Sequence, residues 1–131
     1  MIRVCIADDH PIFRHGVKRL IDDEEDMTVV ADVADGVEVI PAVKSQKTDV
    51  LILDLSLPNR SGLALLEDLE TEAPLVRTVV LSMYQEDQLA LSLMHHGALA
   101  FLNKERDPAE LLEAIRRAAA GKRYFTQTLS E

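Results

Sequence analysis

Cysteine is almost absent from this chain: Cys5 is the only one, so no disulfide can form within it. It sits inside the apolar run Val4-Cys5-Ile6-Ala7, where a thiol reads as a buried, inert group rather than a nucleophile or ligand. Tryptophan is missing, and aromatics make up 4% of the residues against 47% hydrophobic. The core must therefore be aliphatic. Charged residues interrupt every apolar run before it is long enough to span a bilayer, and the N-terminus carries no signal-peptide pattern. The expectation is a soluble cytoplasmic protein with no membrane partner. Basic residues are also scarce, 14 against 23 acidic ones, and the net charge of −9 disfavours this segment as a nucleic-acid contact. There is no glycine-rich phosphate loop, no basic stripe with interleaved aromatics, no internal repeat and no interdomain linker.

What is present is an alternation. At 131 residues the chain fits one domain with a real core. Strand-like runs are read at Arg3–Ala7, Thr28–Val33, Val50–Asp54, Thr78–Ser82 and Ala100–Asn103. Helical patterns follow them at Pro11–Asp23, Val37–Gln46, Leu63–Glu72, Glu86–His96 and Pro108–Ala120. Strand and helix alternating through short connections predict an α/β fold, a doubly wound five-stranded parallel sheet with helices on both faces. The last helix is the clearest, with Asp107 as N-cap, Pro108 in the first turn and Gly121 as a left-handed C′ residue. Pro41 conflicts with a helix over Val37–Gln46, which must start late, kink or be shorter. The tail Thr126–Glu131 is expected to fray.

Chemistry gathers at the ends of the strands. Val50-Leu51-Ile52-Leu53 reads as a strand covered on both faces, and it ends in an ionisable carboxylate, Asp54. Asp8 and Asp9 end the first run, Ser82 ends the fourth and Lys104 follows the fifth. Ligands of open α/β sheets lie outside the carboxyl ends of the strands. Three acids, a hydroxyl and an amine there suit a divalent cation and a phosphoryl group. Taken singly, each has a plainer reading. Asp8-Asp9 could cap a helix, Ser82 could cap the next one, Lys104 could be solvated and Phe101 could be core. His10 could touch the site or simply begin a helix. Asp22-Asp23-Glu24-Glu25-Asp26 reads as a solvated loop, and His95-His96 diverge too far to share a metal.

In order and spacing, Asp8-Asp9, Asp54 with Pro58 and Gly62 behind it, Ser82, Phe101 and Lys104 resemble the signature of a response-regulator receiver domain. Ala7-Asp8-Asp9-His10-Pro11 and Gly121-Lys122-Arg123-Tyr124 are similar to its NarL/FixJ (LuxR-type) branch. The resemblance implies a flavodoxin-like, CheY-like (βα)5 receiver over 1–121, with 122–131 as a tail or the start of a linker. It implies Asp54 as phosphoacceptor and a Mg²⁺ ion held by Asp8, Asp9, Asp54 and the backbone carbonyl of Ser56. Lys104 would bind phosphoryl oxygens, Ser82 would donate to them, and Ser82 with Phe101 would form the switch. Phe101 stands where many receivers have tyrosine, and Glu105 where many have proline. The implied partners are a sensor histidine kinase, a second copy on phosphorylation, and DNA only through a C-terminal helix-turn-helix domain that this chain lacks. The first and last helices together, and the Glu86–His96 face, are the candidate interfaces.

Two enzyme-like or carrier readings compete. A haloacid-dehalogenase-type phosphatase also uses an aspartate nucleophile with Mg²⁺, but needs a second Asp where Ser56 stands. A flavodoxin-type flavin carrier needs a Ser/Thr/Gly-rich loop after the first strand, where Asp8-Asp9 would instead repel a phosphate. A purely structural interaction module gives no reason for acids and a lysine to converge. The receiver reading, a phosphorylation-dependent switch rather than a metabolic enzyme, accounts for all the motifs together.

Overall fold

The structure, a computed structural model, describes residues 1–83, 87–105 and 107–125. Strands β1 (Ile2–Ala7), β2 (Met27–Val33), β3 (Val50–Asp54), β4 (Arg77–Ser82) and β5 (Ala98–Asn103) alternate with five α-helices. These are α1 (Pro11–Asp22), α2 (Val39–Ser45), α3 (Gly62–Glu72), α4 (Asp87–His95) and α5 (Pro108–Ala119). All strand pairs are parallel, in the order β2-β1-β3-β4-β5-β6. The sixth, β6 (Tyr124–Phe125), is a two-residue strand beside Ala100 and Phe101. It extends the expected five-stranded sheet by one short edge strand, within the segment read as a tail; Thr126–Glu131 lie outside the described residues.

Side-chain alternation on the strands builds two aliphatic cores. Cys5, Leu51, Leu53, Val80 and Phe101 point to one side, where Val39 and Val43 of α2, Leu65 and Leu69 of α3, and Leu93 of α4 cover them. Ile6, Ile52, Val79 and Leu102 point to the other, under Val17 and Ile21 of α1 and Leu111 and Ile115 of α5. The interior strand β3 is buried at all five positions, as a strand covered on both faces requires.

The helix ends follow their local chemistry. Asp107 accepts from the Ala109 amide at 2.9 Å, and Pro108 opens α5. Gly121, at φ +76°, closes that helix. Its amide reaches Ala118 O at 2.9 Å and the Lys122 amide reaches Arg117 O at 2.8 Å, the paired bonds of a Schellman motif. Pro41 is accommodated by a late start: Gly36–Glu38 form a 3₁₀ turn and α2 begins at Val39. Pro41 then falls in the first turn, where a missing N–H costs no helical bond. Gly62 begins α3, and Asn59, at φ +71°, is the left-handed residue before it. Glu86, read as the start of the fourth helix, lies outside the described residues.

Candidate functional site

The strand order reverses between β1 and β3, and such a switch point opens a crevice at the carboxyl edge. Asp8 follows β1 and Asp54 closes β3, so both acids flank that crevice; each is 1% exposed. The main chain of Asp8 is fixed on both sides. Its amide donates to Val33 O at 3.0 Å, and its carbonyl accepts from Arg14 Nη1 at 2.7 Å. Its Oδ1 accepts from the His10 amide at 2.7 Å. Asp54 is held by Ser56, whose amide donates to Oδ1 at 3.1 Å and whose hydroxyl lies 3.0 and 2.9 Å from the two carboxylate oxygens.

Lys104 enters from the loop after β5. Its amide donates to Ser82 O at 2.8 Å, which ties that loop to the end of β4. The side chain is almost wholly buried, and Nζ lies 2.7 Å from Asp8 Oδ2 and 3.0 Å from Asp54 Oδ2. The same ammonium stands 4.6 Å from the centroid of the Phe13 ring, within cation–π range. One cation between two buried carboxylates leaves the site negative. Asp9 Oδ1 and Asp8 Oδ2 are buried and make no hydrogen bond; the Asp8 atom meets the lysine as an ion pair. Asp8, Asp9, His10 and Asp54 each present one ligand atom, all within 4.8 Å of one another.

The loop behind Asp54 is clamped to the loop after β2. Gly36 N donates to Pro58 O at 3.0 Å, and Asn59 Nδ2 donates to Asp35 Oδ2. Ser82 is buried at the end of β4, opposite Asn103, and Asp54 is paired with the preceding residue, Leu81. Phe101 does not approach the acids. It is 1% exposed and packs into the core shared with Leu53, Val80 and Leu93.

Asp8, Asp9, Asp54 and Lys104 thus converge as a group, with Ser56 engaged through its amide and hydroxyl and Ser82 at the adjoining strand end. Two further residues belong to the site: Phe13 and Arg14 contact it from the first turn of α1. His10 both touches the site and begins that helix, the two readings its position allowed. Pro11 at the first helical position was the available signal, because it aims the opening turn of α1 over the end of β1.

The family described as the response regulator receiver domain matches residues 4–116. The chain belongs to this family. It is 35% identical over 124 residues to the uncharacterized transcriptional regulatory protein YxjL of Bacillus subtilis, covering 95% of this chain and 57% of that protein. It is 34% identical over 127 residues to the nitrate/nitrite response regulator protein NarL of Escherichia coli, covering 97% and 59%. The receiver therefore spans somewhat more than half the length of these curated relatives. A crystal structure of a LuxR-family two-component response regulator from Aurantimonas superposes with a TM-score of 0.91 at 32% identity, over 98% of this chain and 91% of that one. This receiver is of the NarL/LuxR type in fold and sequence, and its family works as signalling switches.

Proposed function

We propose that the receiver accepts a phosphoryl group on Asp54 from a sensor histidine kinase. The observation that carries this reading is the convergence of Lys104 Nζ on Asp54 Oδ2 and Asp8 Oδ2, at 3.0 and 2.7 Å. An Asp54 carboxylate oxygen attacks phosphorus in line, and the bond to the kinase imidazole breaks with its electron pair returning to that nitrogen. Lys104 is the mobile point charge that follows the phosphoryl oxygens. Ser82 donates its hydroxyl to them. The same constellation supports slow loss of the phosphoryl group to water.

The donors fit Mg²⁺, a hard ion that takes carboxylate oxygens, and the buried Asp9 Oδ1 without a hydrogen bond is an available donor. Asp8, Asp9 and Asp54 would hold it, with the Ser56 carbonyl. Bound there, the ion supplies neutralisation of the phosphoryl charge. Ser82 and Phe101 are the proposed switch pair, shifting the population between two states once Asp54 is modified.

The receiver unit is assigned to 1–121, with 122–131 as a C-terminal tail or the start of a linker to a LuxR-type helix-turn-helix output domain through which DNA would be bound. A second copy of the receiver is the proposed partner of the phosphorylated state. No helix among the described residues is long and apolar enough to cross a membrane, and the cytoplasm is the proposed location. The test is intact mass after incubation with acetyl phosphate, with Mg²⁺ or a chelator. One phosphoryl group is expected with Mg²⁺ only, and none on Asp54→Asn. Unchanged labelling of that variant would remove Asp54 from its role.

A further inference from the structure

His10 has the address of a helix cap and does another job. It is the N-cap residue of α1, yet its side chain makes no capping hydrogen bond. Instead the imidazole turns back toward the acids. Its Nδ1 lies 2.9 Å from Asp8 Oδ1, 3.3 Å from Asp9 Oδ1 and 3.5 Å from Asp54 Oδ2. It also lies 3.0 Å from Lys104 Nζ. One ring nitrogen cannot satisfy all these neighbours. With a proton on Nδ1 it donates to Asp8 but opposes the ammonium; with a lone pair there it accepts from Lys104 but faces three carboxylates.

A positive centre resolves the conflict, and the lysine marks where one is held. Its ammonium sits 2.7 Å from Asp8 Oδ2, 3.0 Å from Asp54 Oδ2 and 3.0 Å from His10 Nδ1. Nitrogen and carboxylate donors already converge on this one cation. A second observation is independent of the lysine: Asp9 Oδ1 is a buried atom that makes no hydrogen bond. When Lys104 turns to a phosphoryl group, these donors are left for a metal.

We propose that His10 Nδ1 is an additional ligand of the divalent-cation site, tilting its preference from Mg²⁺ toward ions that accept nitrogen, such as Ni²⁺ and Co²⁺. Carboxylate and carbonyl oxygens alone suit Mg²⁺, whereas an imidazole strengthens binding along the first transition row. The proposal rests on the phosphoacceptor reading only for the location of the ion. It assigns His10 a ligand role and leaves the phosphoryl transfer to Asp54 unchanged.

The test uses the purified protein, its His10→Ala and His10→Asn variants, and the metals alone. Asparagine is a good N-cap, so the second variant keeps α1 anchored while removing the imidazole. Calorimetric titration should show Ni²⁺ affinity falling about tenfold or more in both variants, with Mg²⁺ affinity changing far less. Pulsed EPR of the Mn²⁺-loaded wild type should show a nitrogen coupling that changes isotope with ¹⁵N-histidine labelling and disappears in both variants, although His15, His95 and His96 remain. Equal Ni²⁺ affinity, or a coupling that survives in His10→Asn, overturns the proposal. Phosphorylation of Asp54 without any histidine coupling rejects the role of His10 alone. A coupling without phosphorylation rejects the phosphoacceptor reading alone.

Discussion

Lys104 Nζ and Asp54 Oδ2 lie 3.0 Å apart across 50 positions of sequence, with both side chains almost fully withdrawn from water. A buried ion pair of this kind contributes little net stability over an apolar pair, but breaking it is costly because the surviving charge stays buried. Here two carboxylates, Asp8 and Asp54, share the one ammonium.

Lys104→Met should therefore destabilise the metal-free protein by about 3 kcal/mol. Saturating Mg²⁺ should restore part of that loss, since an ion bound only by the native state stabilises it by mass action. Denaturant titrations with and without Mg²⁺ measure both effects. Identical midpoints for the variant and wild type under chelation would mean that the ammonium does not neutralise the acids.

Asp9 presents the opposite case. Its side chain is one-third exposed, and Oδ1 has no hydrogen bond. Asp9→Ala should leave metal-free stability unchanged or raise it by relieving like-charge repulsion, while weakening Mg²⁺ binding and slowing phosphorylation. Chelated melts alongside a Mg²⁺ titration check this. Wild-type metal affinity in the variant would move the ion away from Asp9.

Two glycines predict changes of opposite sign. A Cβ on Gly36 would stand 2.6 Å from Arg60 Cβ and 3.0 Å from Pro58 O, whereas one on Gly16 meets nothing within 4 Å. Gly36→Ala should cost about 1–3 kcal/mol and disturb the clamp on the loop after Asp54, slowing labelling by acetyl phosphate. Gly16→Ala, inside α1, should stabilise by about 0.5–1 kcal/mol. Thermal melts that rank the two variants in the reverse order would sink the packing argument.

Burial pushes the Cys5 thiol up from 9.0 to about 12, with the negative charge of Asp32 adding to the effect. The folded state then keeps the thiol proton more tightly than the unfolded chain. That contribution is fully present below pH 9.0 and is lost as pH rises toward 12. Wild type should consequently lose more stability than Cys5→Ala over this window, and native Cys5 should resist alkylation near pH 8. Parallel stability curves for the two proteins would contradict the assignment.

Asp54 was legible in the sequence because an apolar run covered on both faces can end in a carboxylate only where the sheet opens. Asp107 and Gly121 were legible because helix caps are local. The sixth strand was not: two residues, Tyr124 and Phe125, become a strand only because the edge of β5 is there to pair with. Nor was the aim of Phe13 and Arg14, which depends on how α1 leans across the end of β1, whereas the contact of His10 with the site was one of the two readings its position allowed. The proline conflict at Pro41 was readable in kind, a late start being one of its few solutions, but the 3₁₀ turn before it was not.

Phe101 is already packed inward, 1% exposed, against Leu53, Val80 and Leu93. A ring held this way needs no hydroxyl to stay in place, so phenylalanine suffices where a tyrosine would have a polar end to satisfy. If Ser82 moves toward a phosphoryl group on Asp54, the core beside it must repack, and that change carries the signal toward α4 and β5. Beryllofluoride, a stable acyl-phosphate mimic, allows the two states to be compared by NMR. Wild type should show shift changes at Phe101 and Lys104. Ser82→Ala should still bind the mimic, with changes at Lys104 retained and those at Phe101 reduced, because a ligand shifts an equilibrium only by its differential affinity for the two states. Equal changes around Phe101 in both proteins would show that the hydroxyl does not carry the coupling.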